Sequence, residues 1–173
     1  MVLKTKGGVS MPERRALSDT EIADLAAVLV DLDWSWKMAD APGIATSFGW
    51  EVRAARPQWV TFDVGFGMDT GKIRGRDDHA HSIQVAVTEG VIDEANGKAW
   101  VHDCFVRMSV AVSARIGEPT QKIPGEYPEI RWAATSTTLR LVELDSSVQL
   151  FLHTNTYLAE HDAAIEMERQ GLL

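Results

Sequence analysis

Apolar positions along this chain follow two periods, and the switches between them mark out its elements. In LSDTEIADLAAVLVDLDW, residues 17–34, Ile22, Leu25, Ala26, Leu29 and Leu32 recur at the three- and four-residue intervals of one helical face. Ser18 and Glu21 precede that run as an S-x-x-E capping box, in which each side chain satisfies the other residue's free backbone N–H. DAPGIATSFG, residues 40–49, predicts a second, short helix, with Asp40 as N-cap, Pro42 in the first turn and Gly49 closing it.

After Trp50 the period becomes two. In QWVTFDVGFG, Val60, Phe62, Val64 and Phe66 alternate with Trp59, Thr61, Asp63 and Gly65, which predicts a strand with one buried face. MDTG is a turn, and KIRGR and HSIQVAV are further strands of the same antiparallel run. EANGK, residues 94–98, breaks the run. Helical spacing returns from Ala99 through Val101, Phe105, Met108 and Val112, with Gly117 and Pro119 to stop it. PTQKIPGEYP is a Pro/Gly-rich connector. EIRWAA, TTLRLVEL and SVQLFLHTN follow as strands, the last two joined as a hairpin by the tight LDSSV link, and the chain closes on a helix from Thr156. The predicted architecture is an α+β two-layer sandwich: an antiparallel sheet of about six strands with the helices packed on one face.

Length and composition narrow the class further. A chain of 173 residues fits one domain, and 45% apolar with 24% charged residues is the balance of a globular protein. Residues 1–17 carry a net charge of +3, so the remaining 156 carry −11 of the total of −8. That division predicts a basic, flexible N-terminal tail at 1–17 and a single domain at 18–173. The acidic body argues against nucleic acid, because phosphates would be repelled, and it suits a basic protein partner. No apolar stretch approaches membrane-span length, and no signal-peptide segment follows the N-terminal basic residues, so a cytoplasmic protein is expected. Cys104 is the single cysteine, lies within the apolar helical pattern and is expected to be packed rather than reactive.

Candidate chemistry is sparse. No G-x-S-x-G elbow, H-E-x-x-H, P-loop or Rossmann glycine pattern occurs, so neither a catalytic set nor a cofactor is expected. RDDHAH gathers Asp77, Asp78, His79 and His81 as a metal-like cluster. It supplies the alternative of a metal-dependent enzyme, although a solvated turn gives the same residues and the other histidines are not tied to it by spacing. Lys72, Arg74 and Arg76 alternate along one strand face, as a solvated outer face of a sheet would. The strongest binding signal is LDWSWKMADAP: Trp34 and Trp36 share a side if the chain is extended there, with Asp31, Asp33 and Asp40 around them. Either both indoles close the core, or at least one stays partly exposed in an acidic rim that steers a basic partner.

The segments ALSDTEIADLAAVLVDLDWSWKMADAP, FGWEV, RPQWVTFDVGFG, IGEPT, PGEYPEIRW and TTLRLVELDSSVQLFLHTN together resemble a family of uncharacterised actinobacterial proteins. That resemblance implies a bacterial cytoplasmic protein of this size. Proteins of this kind look like the small α+β immunity proteins of polymorphic toxin systems, and the element order is similar to secretion chaperones of the Tir-chaperone type. The expected function is therefore a non-enzymatic protein-binding module that neutralises a cognate toxin, with Asp31, Asp33, Trp34, Trp36 and Asp40 as contacts. A secretion chaperone or adaptor is the alternative. The partner is expected to be a protein such as a basic toxin domain, neither a membrane nor nucleic acid, and the chain a monomer or homodimer.

Overall fold

In the computed structural model residues 14–92 and 94–172 are described. Helix α1 (Asp19–Val30) begins at the predicted capping box: the Ser18 hydroxyl accepts from the Glu21 N–H, and the Glu21 carboxylate accepts from the Ser18 N–H. Helix α2 (Ala41–Ser47) follows a single 3-10 turn at Met38–Asp40, and Gly49 behind it takes φ 81°, the left-handed conformation that glycine adopts without a Cβ penalty. Asp40 precedes α2 as predicted, but its carboxylate does not cap it. It instead accepts the Ser35 hydroxyl at 2.6 Å.

The sheet has eight strands where about six were expected. They are β1 (Glu51–Ala55), β2 (Trp59–Asp63), β3 (Gly71–Arg76), β4 (His79–Ala86), β5 (Gln121–Ile123), β6 (Glu129–Ala133), β7 (Thr137–Glu143) and β8 (Val148–Thr154). All pair antiparallel in the order β1-β2-β3-β4-β8-β7-β6-β5. The two unexpected strands are the two edges. Both carry little apolar signal: β1 alternates exposed Glu51, Arg53 and Ala55 with only Val52 and the small Ala54 half-buried, and β5 is three residues with Gln121 and Lys122 exposed. Helix α3 (Glu94–Ile116) also starts earlier than its apolar spacing, taking in the EANGK segment that was expected only to end the preceding run of strands. Its buried positions Val101, Phe105, Met108 and Val112 are those predicted, and Cys104 is buried beside them.

Register sorts the residues of this sheet into two faces. Val60, Ile73, Ile83, Leu152, Leu139 and Trp132 fall in one row across six strands, since each is the cross-strand partner of the next or shares its partner's register. This row and Phe62, Val85, Leu150 and Leu141 beside it form one core with Ile22, Ala26 and Leu29 of α1 and Met108 and Val112 of α3. α2 covers the β1–β2 end, where Phe48, Trp50 and Phe62 stack at 4.4 and 5.0 Å. The opposite face carries the alternate residues. One of its rows reads Trp59, Arg74, Ser82, His153, Thr138 and the other Thr61, Lys72, Gln84, Phe151, Arg140, Arg131.

Helix α4 (Asn155–Arg169) corrects the expectation of helices on one face, because it lies over this second, polar face. Asp162 pairs with Arg131, and Tyr157 and His161 stack with His153. The physical reason is compositional: an outer face holding Arg131, Arg140 and His153 at its centre cannot be left unpartnered, and α4 supplies the partners. α4 starts where β8 ends, with Thr154 as its N-cap. Its first residue is anchored through the side chain: Asn155 Nδ2 donates to the Ala134 carbonyl at 2.9 Å and the Thr135 carbonyl at 3.2 Å, and Oδ1 accepts from the Thr138 hydroxyl at 2.7 Å.

Of the predicted tail, residues 1–13 lie outside the described residues. Residues 15–17 pair with the end of the sheet, where Leu17 N–H donates to the Val87 carbonyl and Glu89 N–H to the Arg15 carbonyl, both at 2.9 Å. Gly71 is a position where side-chain size is decided by packing: the Phe62 ring of its cross-strand partner lies where a Cβ would go. Gly71→Ala is therefore expected to cost about 1–3 kcal/mol in urea unfolding. Gly43→Ala, in the α2 helix with open space around it, is expected to be neutral or stabilising by up to about 1 kcal/mol.

Candidate functional site

Geometry concentrates on the polar face beneath α4. Glu129 of β6 sits between two guanidiniums. Arg140 Nε and Nη2 donate to its two oxygens at 2.7 and 3.0 Å, and Arg131 Nε donates to Oε2 at 2.8 Å. Arg131 in turn holds Asp162 of α4 through two parallel bonds of 2.8 and 2.9 Å, the bidentate fork that suits a guanidinium to a carboxylate. Hydrogen bonds from Arg131 hold the Asp162 carboxyl below its usual pKa, and the Arg131 guanidinium is raised by the same contact. Burial alone would raise Glu129, but the bonds from Arg140 and Arg131 outweigh it and its pKa is lowered.

The network continues across the sheet in a fixed direction. Arginine has only donors, so Arg140 Nη1, 3.0 Å from His153 Nε2, requires that nitrogen to accept. Neutral His153 then carries its proton on Nδ1 and donates to Ser82 Oγ at 2.8 Å. The Ser82 hydroxyl has its own proton left for His81 Nδ1, at 2.7 Å. His153 is buried to 4% exposure, and burial, reinforced by Arg140, lowers its pKa to about 3. His81 and His161 are lowered too, each chiefly by burial. Tyr157 of α4 stacks on His81 at 3.8 Å and lies 5.4 Å from His153, while Arg140 sits over the Phe151 ring at 5.1 Å.

A bulge delivers His81 to this face. Arg74 pairs with Ser82 and Gly75 with Ala80, leaving His81 as the extra residue on β4. Such an insertion re-aims a side chain that strict alternation would turn into the core. The preceding turn is the tight two-residue hairpin of Asp77 and Asp78, both at positive φ (53° and 68°). The metal-like quartet of the sequence is thereby divided: Asp77 and Asp78 form the turn, His79 Nδ1 lies 2.8 Å from the Asp77 carbonyl, and His81 belongs to the Ser82–His153 chain. Among the described residues no three His, Cys, Asp or Glu side chains are grouped to hold an ion.

Two depressions open on this face. A cavity of about 330 Å³ lies under α4, lined by Arg140, Glu129, His153, Phe151, Val142, Leu144, Tyr157, His161 and Ile165, with Lys72 and Arg74 at its β3 end. A shallower cleft of about 490 Å³ continues from Lys72, Arg74 and Tyr157 to Trp59, Arg76 and His81. The side chains of Lys72, Arg74 and Arg76 have no ion-pair or hydrogen-bond partner among the described residues. The alternation in KIRGR signalled this row, but nothing local in the sequence signalled the Arg131–Glu129–Arg140–His153 cluster, whose members come together only through the β6–β7–β8–β4 register.

The acidic tryptophan segment is arranged differently. Trp34 and Trp36 are in contact, centroids 5.0 Å apart and tilted by 39°, and both are half-buried against the core. Trp36 holds φ 56°, a conformation that costs a bulky residue about 1–3 kcal/mol and persists because its carbonyl accepts the Ala80 N–H at 2.8 Å and Lys37 bridges to His79. Trp34 Nε1 is, among the described residues, the buried side-chain polar atom without a hydrogen-bond partner. Asp31, Asp33 and Asp40 are exposed. Of the six tryptophans, Trp132 is buried, four are half-buried, and Trp59 is the exposed one at 42%.

An eight-stranded antiparallel α+β domain with helices on both faces and a charged network under the last helix is thus the class defined by fold and site. The chain belongs to the family of unknown function DUF6301, whose match covers residues 20–154 and so ends with β8, before α4. Among curated proteins none matches the chain, and among solved structures none does. No helix of the described residues is long and apolar enough to cross a membrane.

Neutral His153 links the network to pH. Its folded pKa of about 3 lies below its ordinary 6.5, so the folded state resists a proton that the unfolded chain accepts. Stability is therefore full above pH 6.5 and falls as pH drops from there toward 3. Between pH 7.5 and 5.5, His153 alone is expected to contribute a loss of about 1.4 kcal/mol in urea unfolding, and His153→Gln to remove that part of the slope. Glu129→Gln, which leaves two buried guanidiniums undercompensated, is expected to cost about 3–5 kcal/mol at pH 7.5.

Proposed function

We propose that this chain is a non-enzymatic protein-binding module that grips a carboxylate-bearing segment of its partner on the outer face of the sheet. One observation carries the reading: Trp59, the exposed indole, stands at the end of the row that continues into Arg74, on a strand whose Lys72, Arg74 and Arg76 side chains have no partner among the described residues. Tryptophan, tyrosine and arginine are the side chains that concentrate binding energy at interfaces, and unpaired cations in a chain of net charge −8 select a carboxylate. The network behind them supports a rigid wall rather than a reactive centre. Both nitrogens of His153 are occupied, and Ser82 is 4% exposed. An immunity-type role, in which the module covers a cognate toxin, is the biological form of this proposal, and a secretion chaperone or adaptor is its alternative. Solution mass separates the two: a monomer fits the first and a stable homodimer the second.

A second docking surface is favoured by a separate observation. The left-handed Trp36 stores strain and the Trp34 N–H is buried without a partner, in a segment whose Asp31 and Asp33 are exposed and whose Asp40, though it accepts from Ser35, is exposed too, an arrangement suited to a basic partner. Co-expression of the tagged chain with the product of the neighbouring gene tests both surfaces. Capture and protection from toxicity are expected for the wild type, with capture weakened by about tenfold or more in the triple variant Lys72→Glu, Arg74→Glu, Arg76→Glu. Loss in Asp31→Lys, Asp33→Lys instead would move the interface to the tryptophan pair. Absence of any captured partner would overturn the proposal.

A further inference from the structure

Beneath α4, the cavity of about 330 Å³ has walls of two kinds. One part is apolar: Val142, Leu144 and Phe151 from the sheet side, and Ile165 from α4 above them. Ile165 remains 42% exposed and Phe151 half-buried, so this apolar wall is incompletely covered by the chain itself. The other part is cationic, with Lys72 and Arg74 entering from β3. The floor is closed to a strong second anion, because the Arg140 guanidinium is already shared between Glu129 and His153. Lys72, Arg74 and Arg140 against the one lining carboxylate, Glu129, leave +2 in the cavity of a chain whose total is −8.

An inorganic anion would satisfy the cations and leave the apolar wall wet, whereas a neutral apolar molecule would fill the wall and leave the Lys72 ammonium and the Arg74 guanidinium facing it. Both requirements are met by one chemical class. We infer that this cavity binds a small amphipathic organic anion, its apolar body between Phe151 and Ile165 and its carboxylate or sulfonate head on Lys72 and Arg74. The site does not rest on the protein-docking reading, since Trp59 and Arg76 lie outside the cavity, in the open cleft. Lys72 and Arg74 border both depressions, so an occupant under α4 draws on two of the cations that an acidic protein segment would use.

The test uses the full chain and two fluorescent probes: 8-anilinonaphthalene-1-sulfonate, an amphipathic anion, and N-phenyl-1-naphthylamine, its uncharged counterpart. Saturable binding of both is expected at a pH where cooperative urea unfolding shows the chain folded. The double variant Lys72→Gln, Arg74→Gln is expected to weaken the sulfonate probe about tenfold while leaving the neutral probe within about twofold. Ile165→Trp, at a half-open helical position, fills the cavity and is expected to weaken both probes, and Leu144→Trp provides the same test from the sheet side. Failure of the sulfonate probe to bind overturns the inference. So does equal loss of both probes in the charge variant, or binding that neither tryptophan variant disturbs, which would place the probes on another surface such as the exposed Val106 and Val110 of α3.

Discussion

Glu129 shared between Arg131 and Arg140 is the interaction on which the second face of this sheet depends. Two guanidiniums at the centre of a covered sheet would each need several kcal/mol of compensation for lost hydration. One carboxylate serves both, and Asp162 closes the account from α4. Once the guanidinium of Arg140 is fixed, the proton on His153 is fixed, and the Ser82 hydroxyl and the His81 ring follow in order. A polar network of this kind is stable only when complete, and among the described residues none of its buried side-chain polar atoms is left without a hydrogen-bond partner. α4 is therefore held less by apolar burial, for which Leu158 is its one fully covered side chain, than by charge pairing and ring stacking.

Much of the fold was legible in the amino-acid order because one face of each central element is apolar. Ser18, Glu21 and the Ile22–Leu29 spacing specify α1, and the alternations in WVTF, HSIQVAV and SVQLFLHT specify their strands. The edge strands escaped because β1 has only Val52 and Ala54 to mark its period of two and β5, three residues long, is too short to show one. The start of α3 escaped because its first turns, through Gly97 and Lys98, lack the apolar spacing of the rest. α4 was legible as a helix but not as the cover of a second face. Its Tyr157, His161 and Ile165 share one side, yet Tyr157 stacks both on His153, just before it on β8, and on His81 of the distant β4. The acidic tryptophan segment was visible at once, while the cluster around Glu129 is invisible until register joins β6, β7, β8 and β4.

Charge in this molecule is segregated more sharply than its net value suggests. Asp31, Asp33 and Asp40 occupy the connector after α1, and Lys72, Arg74 and Arg76 the outer side of β3, with the turn acids Asp77 and Asp78 directed into a hairpin loop. The two surfaces meet structurally at the start of β4, where Lys37 bridges to His79 and the Trp36 carbonyl takes the Ala80 N–H. One residue beyond that junction lies the His81 bulge, at the head of the hydrogen-bonded chain to Arg140. A backbone adjustment that relaxed the left-handed Trp36 would thus be felt directly at the β4 end of the polar network.

The junction of β8 and α4 leaves no linker, and Asn155 is riveted by side-chain bonds to Ala134 and Thr135 of the β6–β7 loop and to Thr138 of β7. Asp162, forked onto Arg131, ties the helix a second time two turns further on, so the stretch between the two ties is held like a bridge and the part beyond Asp162, with Ile165, overhangs like a cantilever. The rings of Tyr157 and His161 lie between the two ties, so the imidazole stack is the most firmly roofed part of this face.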